Sequence, residues 1–386
     1  MKSKAEMLRA WLISRLCQTL RIQPDRVDTR APLTDYGLKS VDLIGLSGDL
    51  EEWLGRELSP TLLYDHPTIE SLVAYLTPDS DLTVSTPKVN RRHPSAELIA
   101  IIGIGCRFPA ARNPQSFWRL LCDATDAITE VPANRWDAAS VYDCDRRAPG
   151  KMNTRWGGFL DEVDQFDYDF FGISPREAAR MDPQQRLLLE VAWEALEDAG
   201  QIAERLAGSR TSVFVGVSSS DYARMQMNDV SRINAYSGTG GALSITANRL
   251  SYYFDLRGPS MAIDAACASS LVAVHLACRS LRSGESDLAL AAGVNLITFS
   301  KVGTTAPDGR CKAFDARADG YARSEGAGTL VLKPLSKALA DGDRIYAVIR
   351  GSAVNQDGRS NGLMAPNGVS QEAVLREAYR EAGISP

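Results

Sequence analysis

The sequence predicts a small all-helical domain followed by a larger α/β domain. Three observations carry this. Apolar residues in the first 77 positions recur at helical spacing. A proline-bearing stretch with few large apolar residues follows, and beyond it buried-strand and helix patterns alternate. At 386 residues, 44% hydrophobic and 24% charged, the chain fits two or three globular domains and excludes wholesale disorder, collagen-like repeats and coiled coil.

The elements follow in order. Met7, Leu8, Trp11, Leu12, Leu16 and Leu20 form a first apolar stripe; Leu43, Leu46, Leu50, Trp53 and Leu54 form a second. A shorter helix follows Pro67, with Ile69, Leu72, Val73 and Leu76 on one face. Residues 1–77 therefore read as one domain of three or four helices with a small core. Residues 78–96, containing Pro78, Pro87 and Pro94, read as an exposed linker. From 97 to 386, strands are expected at Leu98–Ile104, Ser212–Val217, Met261–Asp264, Leu288–Ile297, Thr329–Lys333 and Tyr346–Gly351. Helices are expected at Pro114–Ala124, Pro175–Ala199, Ala268–Arg282 and Ser370–Ala382.

Composition narrows function further. A net charge of −5 argues against non-specific nucleic-acid binding, which needs a clustered basic field. No apolar run approaches the ~18 residues that cross a bilayer. Seven cysteines without a CxxC pair argue against a disulfide framework or a structural zinc site, and three histidines (His66, His93, His275) form no metal motif. The N-terminus, MKSKAEMLRAWLISRLC, is no secretory signal, so a reducing cytoplasm is expected. Two glycine-rich segments are set aside. IAIIGIGCRFP has Phe108 and then Pro109 where a dinucleotide fingerprint needs its third glycine, and reads as a tight turn. SGTGGALS (Ser237–Ser244) lacks the GK[ST] ending of a phosphate loop; its glycines are expected to permit close packing.

Two nucleophiles remain. Ser40, in TDYGLKSVDLIGL, stands at a predicted helix N-terminus, where unpaired N–H groups and the helix dipole favour a phosphate. An ordinary N-cap is the alternative reading. Cys267, in SMAIDAACASSLVAVHLACRSL, stands at a predicted strand-to-helix elbow, where the dipole favours the thiolate. Ala265, Ala266 and Ala268 leave room for a bulky thioester. A small buried hydrophobe is the alternative, and Cys278, mid-helix, is expected to be one.

The residues around both carry resemblances. GLKSVDLIGLSGDLEEWLGRELSPTLLYDHPTIESLVAYL resembles the acyl carrier domains of modular polyketide and fatty-acid synthases, over nearly all of residues 1–77. The resemblance implies that Ser40 carries 4′-phosphopantetheine, a flexible arm holding an acyl group as a thioester. It also implies a phosphopantetheinyl transferase as partner. Lys39 stands where the family usually has Asp. The acidic helix after Ser40 is suited to docking on basic partner surfaces. AIIGIGCRFP, FDYDFFGISPREAARMDPQQRLLLEVAWEALEDAG, DAACASSL, APDGRCKAFD, ADGYARSEGAG and AVNQDGRSNGLMAPN resemble the β-ketoacyl synthase domain of polyketide synthases, over residues 97–386. That family has the thiolase fold, a five-layer α/β/α/β/α arrangement that usually dimerises. Its cysteine, here Cys267, accepts an acyl chain and joins it to a decarboxylating malonyl-type extender on a carrier.

The chain thus reads as part of a multifunctional type I modular polyketide synthase: an acyl carrier domain, a linker, and the N-terminal portion of a ketosynthase. Its expected partners are acyl and malonyl-type thioesters on carriers and other synthase modules, with no nucleic acid and no membrane. The family's two catalytic histidines, in HGTGT and SNxGH motifs, fall beyond Pro386, and the Asn295–Pro307 stretch is several residues shorter than usual. Without the second half, Leu288–Val294, apolar on both sides, is expected to lack part of its cover. The alternative is a non-catalytic carrier or interaction protein with an inactive ketosynthase scaffold.

Overall fold

The computed structural model describes residues 4–20, 22–36, 40–55, 58, 62–66, 68–77, 97–145, 148–297, 305–358, 360 and 365–385. Two compact units make up the chain, Met1–Arg92 and His93–Pro386. The predicted linker 78–96 lies outside the described residues, as do residues 298–304 of the shortened stretch.

In the first unit, α1 (Lys4–Leu20), α2 (Ser40–Leu54), α3 (Leu62–Asp65) and α4 (Ile69–Leu76) enclose one core. Leu8, Leu12 and Leu16, four residues apart, form a single line down α1 and meet Leu46, Leu50, Ile69, Leu72 and Leu76. Met7 and Trp53, expected in the stripes, are exposed instead. Met7 lies 100° round the helix from Leu8, and Trp53 lies at the rim with its ring centroid 5.6 Å from that of Trp11. Arg9 donates to Glu70 at 2.8 Å, tying α1 to α4, and Arg15 donates to Asp49 at 2.8 Å, tying α1 to α2. Thr68 and Ser71 cap α4 reciprocally.

The second unit is built on a six-stranded mixed sheet: β1 (Ile99–Arg107), β2 (Thr211–Gly216), β3 (Ser260–Ile263), β4 (Leu288–Asn295), β5 (Gly326–Pro334) and β6 (Ala347–Ile349), in the spatial order β3-β2-β4-β5-β1-β6. β3, β2 and β4 are mutually parallel; β5 runs against β4 and β1, and β6 against β1. Five main helices accompany it: α5 (Pro114–Cys122), α6 (Pro183–Asp198), α7 (Leu243–Tyr253), α8 (Ser269–Arg282) and α9 (Gly368–Ala382). Leu288, Leu290, Ala292 and Val294 of β4 share a core with α6 and α7, while Ala289 and Ala291 share one with α8. The described residues therefore form three layers, α/β/α. β4 is covered on both faces, contrary to the expectation for Leu288–Val294.

Two further corrections have plain causes. The helix expected over Pro175–Ala199 is two helices, Pro175–Ala178 and α6. Pro183 cannot continue a helix from its N-terminal side, and Asp182, held extended before it, caps α6 by accepting from Gln184 N at 2.9 Å. α7 has no counterpart among the expected helices, because its apolar periodicity is weak and its glycine-rich lead-in hides the start. That lead-in is helical, and an added Cβ would strike the Arg180 backbone at Gly240 and lie 2.8 Å from Ala223 Cβ at Gly241, so these two glycines serve packing, while one at Gly238 would meet open space. Gly103 and Gly105 in β1 do the same: a Cβ there would strike the α6 backbone at Ala195 and Val191. Phe108–Ala111 is a tight turn, with Phe108 N donating to Ala111 O at 2.8 Å.

Candidate active site

Cys267 sits in one 3-10 turn, Ala266–Ala268, between the end of β3 and the start of α8. The elbow is strained. Ala266 adopts φ +49, a left-handed conformation that costs a non-glycine residue roughly 1–2 kcal/mol. Side chains on either side hold it there. Asp264 Oδ1 accepts from Ala266 N at 3.0 Å; Ser269 Oγ accepts from Ala265 N at 2.9 Å and donates to Ala266 O at 2.7 Å. The result turns Cys267 outward, exposed among exposed alanines. The positive end of the fourteen-residue α8 adjoins it, and favours negative charge nearby.

The elbow opens on a cavity of 1140 Å³, large enough for an extended acyl group and part of its carrier arm. Cys267, Ser270, Leu271 and Val274 line it, together with the aromatic Phe117 and Trp118 of α5. Leu271 is 74% exposed and Trp118 67%, large apolar groups presented to an open space.

The other thiols differ. Burial pushes Cys278, in α8, up to about 11, and Cys106, in β1, also up to about 11. Cys122 is exposed at the end of α5. His275 lies within α8, with Nδ1 2.9 Å from Ser352 Oγ. Burial lowers its pKa, and its place is structural. Ser40 is the first residue of α2, a fifteen-residue helix seated in the first unit's core through Leu46 and Leu50.

Sequence reasoning missed Arg135 and Glu325. The Glu325 side chain is fully buried, pairs with Arg135, and accepts from Leu160 N at 2.8 Å and Ile297 N at 3.1 Å. Glu325 borders the same cavity as Cys267. The SEGAG motif was visible, but its partner stands 190 residues away.

A family model for the β-ketoacyl synthase N-terminal domain matches residues 96–338, and one for the C-terminal domain matches 346–386. The chain belongs to the β-ketoacyl synthase family. Ahead of this ketosynthase, a model for the phosphopantetheine attachment site matches residues 10–76, a region whose cofactor is covalently attached 4′-phosphopantetheine. The ketosynthase and its carrier region are 52% identical over 392 residues to one protein of the phenolphthiocerol/phthiocerol polyketide synthase of Mycobacterium tuberculosis, covering 98% of this chain and 21% of that protein. Another protein of the same synthase is 55% identical over 299 residues, covering 75% of this chain and 19% of its own length. Among solved structures, an oxazolomycin ketosynthase domain from Streptomyces albus is 41% identical with a TM-score of 0.72, covering 75% of this chain and 51% of that one. The module 6 ketosynthase of the Bacillus subtilis bacillaene synthase is 41% identical with a TM-score of 0.69, covering 75% and 49%. The second unit thus has the thiolase-like ketosynthase fold. The chain spans about a fifth of the length of the curated relatives it matches and about half that of the solved ketosynthases.

Proposed function

We propose that this chain takes part in polyketide chain assembly, with Ser40 as the attachment point of 4′-phosphopantetheine and Cys267 as the acyl acceptor. The observation that carries the reading is the exposed Cys267 on its strained elbow, opening on a large apolar cavity. Domains at 1–77 and 97–386, joined by a linker at 78–96, belong to the same reading. The arm, when attached, supplies a mobile thiol for acyl groups. The Cys267 thiolate attacks the carbonyl of such an acyl thioester; the C–S bond to the carrier breaks, an acyl-cysteine forms, and the carrier thiol takes up a proton. Leu271 and Trp118 offer the acyl chain apolar surface to lie against. No histidine is among the described residues lining the cavity, so acyl acceptance is the step assigned to them. A phosphopantetheinyl transferase, other synthase modules, a second ketosynthase copy and a cytoplasmic setting complete the proposal.

Two measurements test it. Incubation with CoA and a broad phosphopantetheinyl transferase adds one pantetheine mass to the chain and none to Ser40→Ala. A short acyl-N-acetylcysteamine thioester acylates Cys267, located by peptide mass mapping, and leaves Cys267→Ala unmodified. An unchanged mass, with a control carrier modified in parallel, overturns the Ser40 assignment. Acylation spread evenly over the exposed cysteines overturns that of Cys267, in favour of a non-catalytic scaffold.

A further inference from the structure

Two glycines lie side by side beneath the first turn of α8. Gly216 ends β2, Gly293 lies in β4, and the register of these parallel strands sets one opposite the other. Neither has a left-handed φ, so both backbones would accept alanine, and only the missing Cβ distinguishes them. A Cβ at Gly216 would lie 2.5 Å from Ser270 N and 2.6 Å from the Ser269 carbonyl carbon. A Cβ at Gly293 would lie 2.7 Å from Ser270 Cβ, with the next nearest atoms, Ser270 Cα and Oγ, at 3.7 Å. The helix start therefore rests directly on bare backbone. From there the connection to the elbow is short, because Ser269 Oγ bonds both Ala265 N and Ala266 O, the two residues before Cys267.

We propose that the Gly216–Gly293 pair is a positioning seat for Cys267: by carrying no Cβ it sets the depth of the α8 start, and through Ser269 the placement of the thiol in the cavity. This rests on the reading of Cys267 as acyl acceptor. The two glycines make separable demands. At Gly293 the obstacle is one side-chain carbon, which Ser270→Gly removes. At Gly216 the obstacles are main-chain atoms, which no substitution at Ser270 removes.

The test uses the whole chain and five variants: Gly293→Ala, Gly216→Ala, Ser270→Gly, and each glycine variant combined with Ser270→Gly. The rate of Cys267 acylation by a short acyl-N-acetylcysteamine thioester is read by peptide mass mapping, with iodoacetamide alkylation of Cys267 in parallel. Protection of the buried Cys106 and Cys278 reports folding in the same digest. Gly293→Ala is expected to slow Cys267 acylation about tenfold or more, since displacements near 1 Å cost reaction rates on the order of a hundredfold. Combination with Ser270→Gly is expected to bring the rate back to that of Ser270→Gly alone, while Gly216→Ala stays slow in both backgrounds. Unchanged Cys267 rates in both glycine variants overturn the seat, as does a Gly293→Ala defect that Ser270→Gly leaves in place. Where Gly293→Ala exposes Cys278 it has unfolded, and the combined variant decides: refolding with restored acylation supports the seat, continued unfolding overturns it. A wild-type chain that leaves Cys267 unacylated overturns the acyl-acceptor reading instead, and the alkylation rates then decide the seat by the same comparisons.

Discussion

Ala266 occupies a conformation that glycine would adopt freely, and the hydrogen bonds of Asp264 and Ser269 hold it there. The thiols of this chain consequently separate by environment. With its pKa near 11, Cys278 is only about one part in a thousand ionised at pH 8, and Cys106 likewise. Iodoacetamide at pH 8 is expected to modify Cys267 at least tenfold faster than either, the advantage vanishing in denaturant; equal rates in the folded protein would reject the nucleophile assignment. A second residue-scale prediction concerns Glu325. Glu325→Gln leaves Arg135, with a side chain only 14% exposed, without its charged partner and is expected to cost about 3–5 kcal/mol, seen as a lower melting temperature for the second unit.

Among the elements, α1 and α4 are joined by a contact whose pH dependence has a definite sign. The hydrogen bond from Arg9, with a second from Thr29, holds the Glu70 carboxyl below the usual carboxylate range. A depressed folded pKa stabilises the fold above the unfolded value, about 4.3, and the gain is lost as pH falls through the folded pKa. Both side chains are more than a third exposed, so screening limits the gain to at most about 1 kcal/mol. Glu70→Gln is thus expected to lower the carrier unit's stability slightly at pH 7 and by nothing measurable near pH 2, in urea titrations at both values. A difference that persists at pH 2 would show that packing, not charge, is at stake. Between β1 and α6 the demand is steric: Gly105→Ala is expected to destabilise the second unit by about 1–3 kcal/mol, because its Cβ meets helix backbone that cannot swing aside.

At the scale of the whole molecule, the two units have separate cores that share no residue. Calorimetry is expected to resolve two transitions. Leu12→Ala, in the fully buried line of α1, should remove about 2–5 kcal/mol from the carrier unit alone and leave the second transition in place. A shift of both transitions together would show that the units melt as one. Among the described residues no helix is long and apolar enough to cross a membrane.

Much of this was open to inspection in the sequence because the signals are local. A helix repeats every 3.6 residues and a buried strand is a short apolar run, so Leu8–Leu12–Leu16 and Leu288–Asn295 could be found without knowing what covers them. Cys267 between an apolar strand and a helix was likewise a local pattern. What tertiary structure alone decided are relations between distant residues. It paired Arg135 with Glu325 across 190 positions and placed Gly216 opposite Gly293 under Ser270. It also exposed Cys122 and covered Leu288–Val294 on both faces. Periodicity records which side of an element is apolar, whereas burial, charge pairing and the clearance around a missing Cβ depend on what the rest of the chain brings to that side.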